Sequence, residues 1–128
     1  MADTNFCTII NKTKGKLPSL PFVSIKNKIL GEEYDLSVSF LSAKKQKEIN
    51  LKYRGINNTT NILSFPFSKI SGEITFDPIK IKKDSPLFKM NYSNFLKYLF
   101  IHGCLHLKGY EHSSIMDRQE KKFLKIFS

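Results

Sequence analysis

The spacing of hydrophobic positions changes several times along this chain, and each change marks an element. Phe6 to Ile10 is a short apolar, β-branched run that predicts a first strand. Pro18 and Pro21 interrupt the chain before a helical stretch from Phe22 to Leu30, which Gly31 can terminate. From Tyr34 to Leu41 the pattern alternates, with Leu36, Val38 and Phe40 on one side, as in a half-buried strand. Ser42 offers an N-cap for a helix through Lys52 that turns Ile49 and Tyr53 inward. Arg54 to Thr60 is polar and loop-like, and Asn61 to Phe65 reads as a strand halted by Pro66, at a sheet edge. Gly72 opens another strand over Glu73 to Phe76, closed by Asp77-Pro78, and Ile79 to Pro86 reads as a lysine-bearing loop. A long helix is predicted from Asn91 to Lys108. A last one begins at Ser114, with Asp117 completing a capping box and Met116, Gln119, Phe123 and either Ile126 or Phe127 facing inward. Strands with helices before and after them predict an α+β fold, one mixed sheet of about four strands with helices packed on it.

The length, 128 residues, suits one domain over the whole chain. No apolar run approaches the roughly 20 residues of a membrane helix. The N-terminus has no basic stretch leading into an apolar segment, so no signal peptide is expected. Cys7 and Cys104 do not make a disulfide framework, and the expected location is the cytoplasm. The formal net charge is +10, which favours polyanionic partners, nucleic acid above all. All the basic residues except Arg54 and Arg118 are lysine, in a chain also rich in Ile, Asn and Phe. A general drift in residue usage explains that charge as well as function does, and it makes each arginine more conspicuous.

The chemistry concentrates in one segment. All the histidines lie between His102 and His112, in the run HGCLHLKGYEH. His102 and His106 stand four apart on the long helix, about 40° from each other around its axis. Gly109 sits where the helix should end, because only glycine enters the left-handed conformation freely. The turn it permits lets His112 swing back as a third ligand. A metal site on the long C-terminal helix and the turn after it is therefore expected, with an open fourth position as in catalytic zinc sites. Imidazole ligands suit several divalent ions, so spacing does not choose the metal. Cys104 lies on another side of the helix and reads as a small core residue. The spacing is also that of metzincin peptidases, but those carry a glutamate directly after the first histidine. Here that position is Gly103.

The run His102-Gly103-Cys104-Leu105-His106-Leu107-Lys108-Gly109-Tyr110-Glu111-His112 resembles the signature of the YbeY family, H-G-x-L-H-L-x-G-Y-D-H, with Glu111 for the usual aspartate. Tyr53-Arg54-Gly55 and Thr60 to Pro66 are similar to that family's second block. Ser71-Gly72-Glu73-Ile74 is similar to its Gly-Asp-Ile strand. The blocks come in the family's order and cover most of the chain from Tyr53 onwards. The chain departs from the family at Ile56, Asn57 and Thr59, where Lys-Asp and a proline are usual, and in the short linker from Phe67 to Ser71.

The resemblance implies a zinc-dependent, single-strand-specific endoribonuclease binding one Zn²⁺. It implies a role in maturing the 3′ end of small-subunit ribosomal RNA and in ribosome quality control. The partners would be the rRNA precursor and the small subunit. Arg54 would stabilise charge on the phosphate, since a guanidinium forks onto phosphate oxygens where lysine offers a point charge; from the residues alone, a solvated charge at a helix end serves equally. Glu73 and Glu111 are candidates to orient a histidine or to move a proton. Ser64, beside Phe65 and Pro66, could be a strand residue near the site, although a strand-end hydroxyl satisfied locally is the stronger reading. Lys80, Lys82, Lys83 and Lys89 could track phosphates, and Tyr53, Tyr92 and Tyr110 could stack bases or pack in the core. Met116 reads as core packing. Two other classes share the same cage: a metallopeptidase, weakened by Gly103, and a non-catalytic ribosome-assembly module stabilised by zinc.

Overall fold

A computed structural model describes residues 6–111 and 113–128; His112 lies outside the described residues. The elements follow in the order β1 (Cys7–Asn11), α1 (Phe22–Leu30), β2 (Asp35–Phe40), α2 (Ala43–Arg54), β3 (Ile62–Ser68), β4 (Ser71–Phe76), α3 (Pro78–Asp84), a 3₁₀ turn (Ser85–Phe88), α4 (Tyr92–Lys108) and α5 (Ser114–Ile126). The expected mixed sheet is present, in the order β1-β2-β4-β3. β1 and β4 flank β2 in parallel, and β3 runs antiparallel to β4 at the edge. Among the described residues, no helix is long and apolar enough to cross a membrane.

The alternation in β2 does what the pattern predicts. Leu36, Val38 and Phe40 are fully buried, level with Ile74 and Phe76 of β4, and α1 and α4 cover that face with Ile25, Ile29, Phe95, Leu96 and Phe100. Phe22 meets Phe40 and Phe100 edge-on, and Phe40 stacks on Phe76 with centroids 5.1 Å apart. Such offset and edge contacts suit the ring quadrupoles.

The structure corrects several expectations. Ile79 to Pro86 is not a loop: Asp77 accepts hydrogen bonds from the Ile79 and Lys80 amides, and Pro78 occupies the first turn of α3. That is a capped helix start, and proline is tolerated there because its missing N–H would have no partner anyway. β3 also does not stop at Pro66. It continues to Ser68 with Pro66 opposite Gly72, and the register shifts beside it, as an edge strand permits. Helix α2 turns a polar face inward. Tyr53 is exposed, whereas Gln46 and Asn50 are buried. The Gln46 amide donates to the Thr60 and Thr75 carbonyls, and Asn50 donates to Asn58. Hydrophobic spacing cannot reveal a face whose partners are backbone carbonyls. On α5 the inward row is Met116, Glu120 and Phe123 rather than Met116, Gln119 and Phe123.

β4 and α4 come close at Gly72. A Cβ there would stand 2.5 Å from the Tyr34 hydroxyl and 3.0 Å from both the Phe65 carbonyl oxygen and a Leu107 methyl. A backbone atom cannot yield as a side chain can. Gly72→Ala should therefore lower unfolding free energy by about 1–3 kcal/mol, read from the urea midpoint at unchanged slope. An unshifted midpoint would mean that β4 and its neighbours can move apart there.

Candidate metal centre and phosphate cleft

Helix α4 carries the site. Asn91 caps its start by accepting from the Asn94 amide, and Gly109 ends it at φ 111°. The chain turns there as the glycine predicted: the Gly109 amide donates to the His106 carbonyl and the Tyr110 amide to that of Leu105. His102 and His106 stand one turn apart with their rings crossed at 85° and centroids 4.5 Å apart.

Both imidazoles are anchored through Nδ1. His102 Nδ1 lies 2.6 Å from Glu120 Oε2, and His106 Nδ1 lies 3.1 Å from the Tyr110 carbonyl oxygen. A carbonyl oxygen only accepts, so His106 Nδ1 carries the proton; an ionised Glu120 demands the same of His102. In neutral rings both Nε2 atoms are then lone-pair donors, and they face each other at 3.0 Å. Two lone pairs so close repel unless a cation or a shared proton sits between them. Two nitrogens on one tetrahedral zinc, each at 2.0–2.1 Å, are roughly 3.3 Å apart. The described part of the site therefore fits a divalent ion. The third expected ligand, His112, is among the residues not described.

Glu120 is the residue the sequence did not single out. It is 5 % exposed, on the face of α5 that packs against α4. Ser113 starts that helix by accepting from the Met116 amide. Burial pushes the Tyr98 phenol above its ordinary range, and the adjacent Glu120 carboxylate adds to the effect. Tyr98 also lies beside His102, with ring centroids 6.1 Å apart. The only signal in the sequence was helical spacing, with Glu120 four residues after Met116 and three before Phe123, on a row that would otherwise be apolar.

The two histidines open on a cleft of about 340 Å³ whose other lining includes Arg54, Ser64, Ile62, Pro66 and Leu107. Arg54 is the last residue of α2, and Gly55 turns the chain there in the left-handed conformation. It is thus both a helix-end charge and a wall of the histidine cleft. Ser64 lines the same cleft. Glu73 does not: it lies on the other face of the sheet, in a separate cleft with Tyr53, Phe65 and Thr75. Burial there pushes its carboxyl up, partly offset by Lys12. The alternation of β4 explains the separation, because Gly72 and Ile74 take the α4 side and Glu73 the opposite one. Glu111 is exposed in the turn after α4. Tyr110 is half-buried against the core, and Met116 and Cys104 are buried within it. Burial raises the Cys104 thiol well above its usual range.

Gly103 has a steric reason to lack a side chain. A Cβ there would stand 3.0 Å from the Ile62 and Ile74 δ-methyls and 3.2 Å from Ser64 Oγ. The position faces β3 and β4, so a carboxylate at it would have to displace these side-chain ends.

A family model described as endoribonuclease YbeY matches residues 17–127. The endoribonuclease YbeY of Thermodesulfovibrio yellowstonii is 36% identical over 98 residues, 71% of this chain and 61% of that relative's length. That of Wolbachia sp. subsp. Drosophila simulans is 29% identical over 133 residues, 95% of this chain and 89% of the relative. The solution structure of a Thermotoga maritima protein superposes with a TM-score of 0.64 at 26% identity, covering 93% of this chain and 87% of that one.

Two substitutions test this geometry. Glu120→Gln should leave the thermal midpoint nearly unchanged while weakening zinc binding by about 10–100-fold in competition with a chromogenic chelator. Equal affinity would remove Glu120 from any role in holding His102. Gly103→Glu should cost about 3–5 kcal/mol of stability, as an unpaired buried carboxylate does, and should yield no peptidase activity. A stable variant that cleaves casein would show that the position can face the cleft after all.

Proposed function

Because the chain belongs to the endoribonuclease YbeY family, we propose that it is a cytoplasmic, zinc-dependent endoribonuclease that cuts single-stranded RNA. Its proposed substrate is the 3′ end of the small-subunit rRNA precursor, with a part in ribosome quality control on the small subunit. The observation that carries this reading is that one cleft is lined by His102 and His106, whose Nε2 atoms face each other, and by Arg54. His102, His106 and His112 would hold one Zn²⁺. Such an ion, when bound, would supply Lewis acidity and would make a water acidic near neutral pH.

The chain's own residues do the rest. Glu120 and the Tyr110 carbonyl fix the two rings so that both present Nε2 to the cleft. Arg54 can fork onto the non-bridging phosphate oxygens as negative charge gathers on them, an interaction that is strongest in the transition state. Ile62, Pro66 and Leu107 keep part of the wall apolar, which strengthens each charge contact inside. Of Glu73 and Glu111, Glu111 is the carboxylate that would orient a histidine or carry a proton, since Glu73 is on the far face of the sheet. The position where a peptidase carries its base is a glycine packed tightly against side chains of β3 and β4, which favours a phosphodiester over a peptide.

The test pairs metal analysis with cleavage of a precursor rRNA end and of casein. Chelation should abolish RNA cleavage while casein stays intact. His102→Ala should lose bound zinc and cleavage together, and a variant that keeps stoichiometric zinc would refute the ligand assignment. Arg54→Ala should keep the zinc and lose about 10²–10³-fold in kcat. Unchanged turnover on single-stranded RNA would remove Arg54 from the mechanism. Zinc binding with no cleavage of any RNA would favour the assembly module instead.

A further inference from the structure

The largest cleft of the three with defined linings is not the histidine cleft. It holds about 790 Å³, against 340 Å³ at the histidines. It opens just beyond the carboxyl ends of the three parallel strands, where β1 ends at Asn11, β2 at Phe40 and β4 at Phe76. Ligands of α/β sheets gather at that end, because the loops leaving the strands diverge there. Lys12, Lys14, Lys16 and Lys82 line it, and no acidic side chain does among the described residues. Glu73 acts on Lys12 from the far face of the sheet, so the uncompensated charge rests on Lys14, Lys16 and Lys82. Asn11 shapes the loop that carries three of these lysines: its amide donates to the Gly15 carbonyl, and its side-chain oxygen accepts from the Thr13 amide and hydroxyl.

The floor is apolar and includes an aromatic ring. Leu41 is buried, Ile79 is 71 % exposed and Tyr92 is half-buried at the first turn of α4. Lysines around an apolar, aromatic floor match a ligand with phosphates along one edge and flat bases along the other. An acidic peptide would satisfy the lysines but leave the floor uncovered. Tyr92 and His102 belong to one helix, ten residues and about 15 Å apart along its axis, so the two clefts lie within a few nucleotides of each other.

We propose that this lysine-lined cleft at the strand ends is a second binding site, an anchor for an unpaired stretch of RNA away from the histidine cleft. The proposal rests on the reading of the protein as a ribonuclease for its biological sense, but not for its measurement. Phosphates lie against Lys14, Lys16 and Lys82, and one base lies against Tyr92. The anchor sets which long RNAs are held; it does not touch the bond that is cut.

Fluorescence anisotropy with labelled oligouridylate tests it, using one strand of about four nucleotides and one several times longer. Lys14→Ala/Lys16→Ala/Lys82→Ala changes only surface side chains. It should weaken the long strand by at least roughly tenfold and make its salt dependence shallower by about two units of slope. Cleavage of the short strand should stay as in wild type. In a 4-thiouridine crosslinking experiment on unaltered protein, adducts should appear on Tyr92 or on the Lys12–Leu17 loop. Wild-type affinity in the triple variant, or crosslinks confined to the histidine cleft, would overturn the anchor. So would polyglutamate of equal charge binding there more tightly than RNA, which would point to an acidic protein partner. Lysine-dependent RNA binding by a protein that cleaves no RNA would refute the ribonuclease reading and leave the anchor standing.

Discussion

The close seating of α4 on the sheet is the constraint on which the rest depends. At Gly103 the helix lies against Ile62, Ile74 and Ser64, where a further methyl group would stand 3.0–3.2 Å from their side-chain ends. That contact fixes both the depth and the rotation of α4. With Gly103 pointing at the sheet, His102 and His106 are turned towards the edge, beside β3, where the cleft opens. A bulkier residue at this point would have to push these side-chain ends aside. The glycine that denies the site a carboxylate is thus the one that brings its parts together.

Around this contact the protein buries polar groups with partners already in place. Gln46 and Asn50 of α2 hold the chain near Thr60, Thr75 and Asn58, which steadies the segment between Arg54 and β3. Lys26 is almost fully buried, with Nζ donating to the Asn27 side chain and the Glu32 carbonyl, and burial lowers its pKa. Glu120 is buried against His102. Each such group would be costly alone; Lys26 and Glu120 are bonded, whereas Gln46 and Asn50 are bonded through their amide nitrogens and leave their side-chain oxygens buried without a hydrogen bond. Their distribution differs: those on α2 tie the helix to the segment before β3 and to β4, and the one on α5 orients a histidine.

The two clefts divide the tasks of a nuclease in physical terms. The smaller one, at the sheet edge, is lined by two imidazoles and an arginine. The larger one, at the strand ends, offers charge and an apolar floor without any group suited to break a bond. The net charge of +10 serves both, because it draws any polyanion to the surface before either cleft selects it.

The sequence by itself determined a good deal. Alternation in β2, helical spacing in α4 and the stop at Gly109 are local properties, set by backbone geometry within a few residues, and the mixed sheet and the His102–His106 pair were legible from them. Partners distant in the chain were not. Glu120 meets His102 across 18 positions, and its place on the Met116–Phe123 row could mark it as inward but not name its partner. Glu73 appeared beside the motif and proved to face away, because a strand sends successive side chains to opposite faces. Likewise α3 looked like a loop until Asp77 was seen capping it, and α2 hid a polar buried face that no hydrophobic period could show. Lys12, Lys14, Lys16, Lys82 and Tyr92 are scattered in the chain, and only the convergence of three parallel strand ends brings them to one cleft. The histidine motif carried its chemistry in its spacing; its orientation, its supporting carboxylate and its separation from a second cleft are consequences of packing.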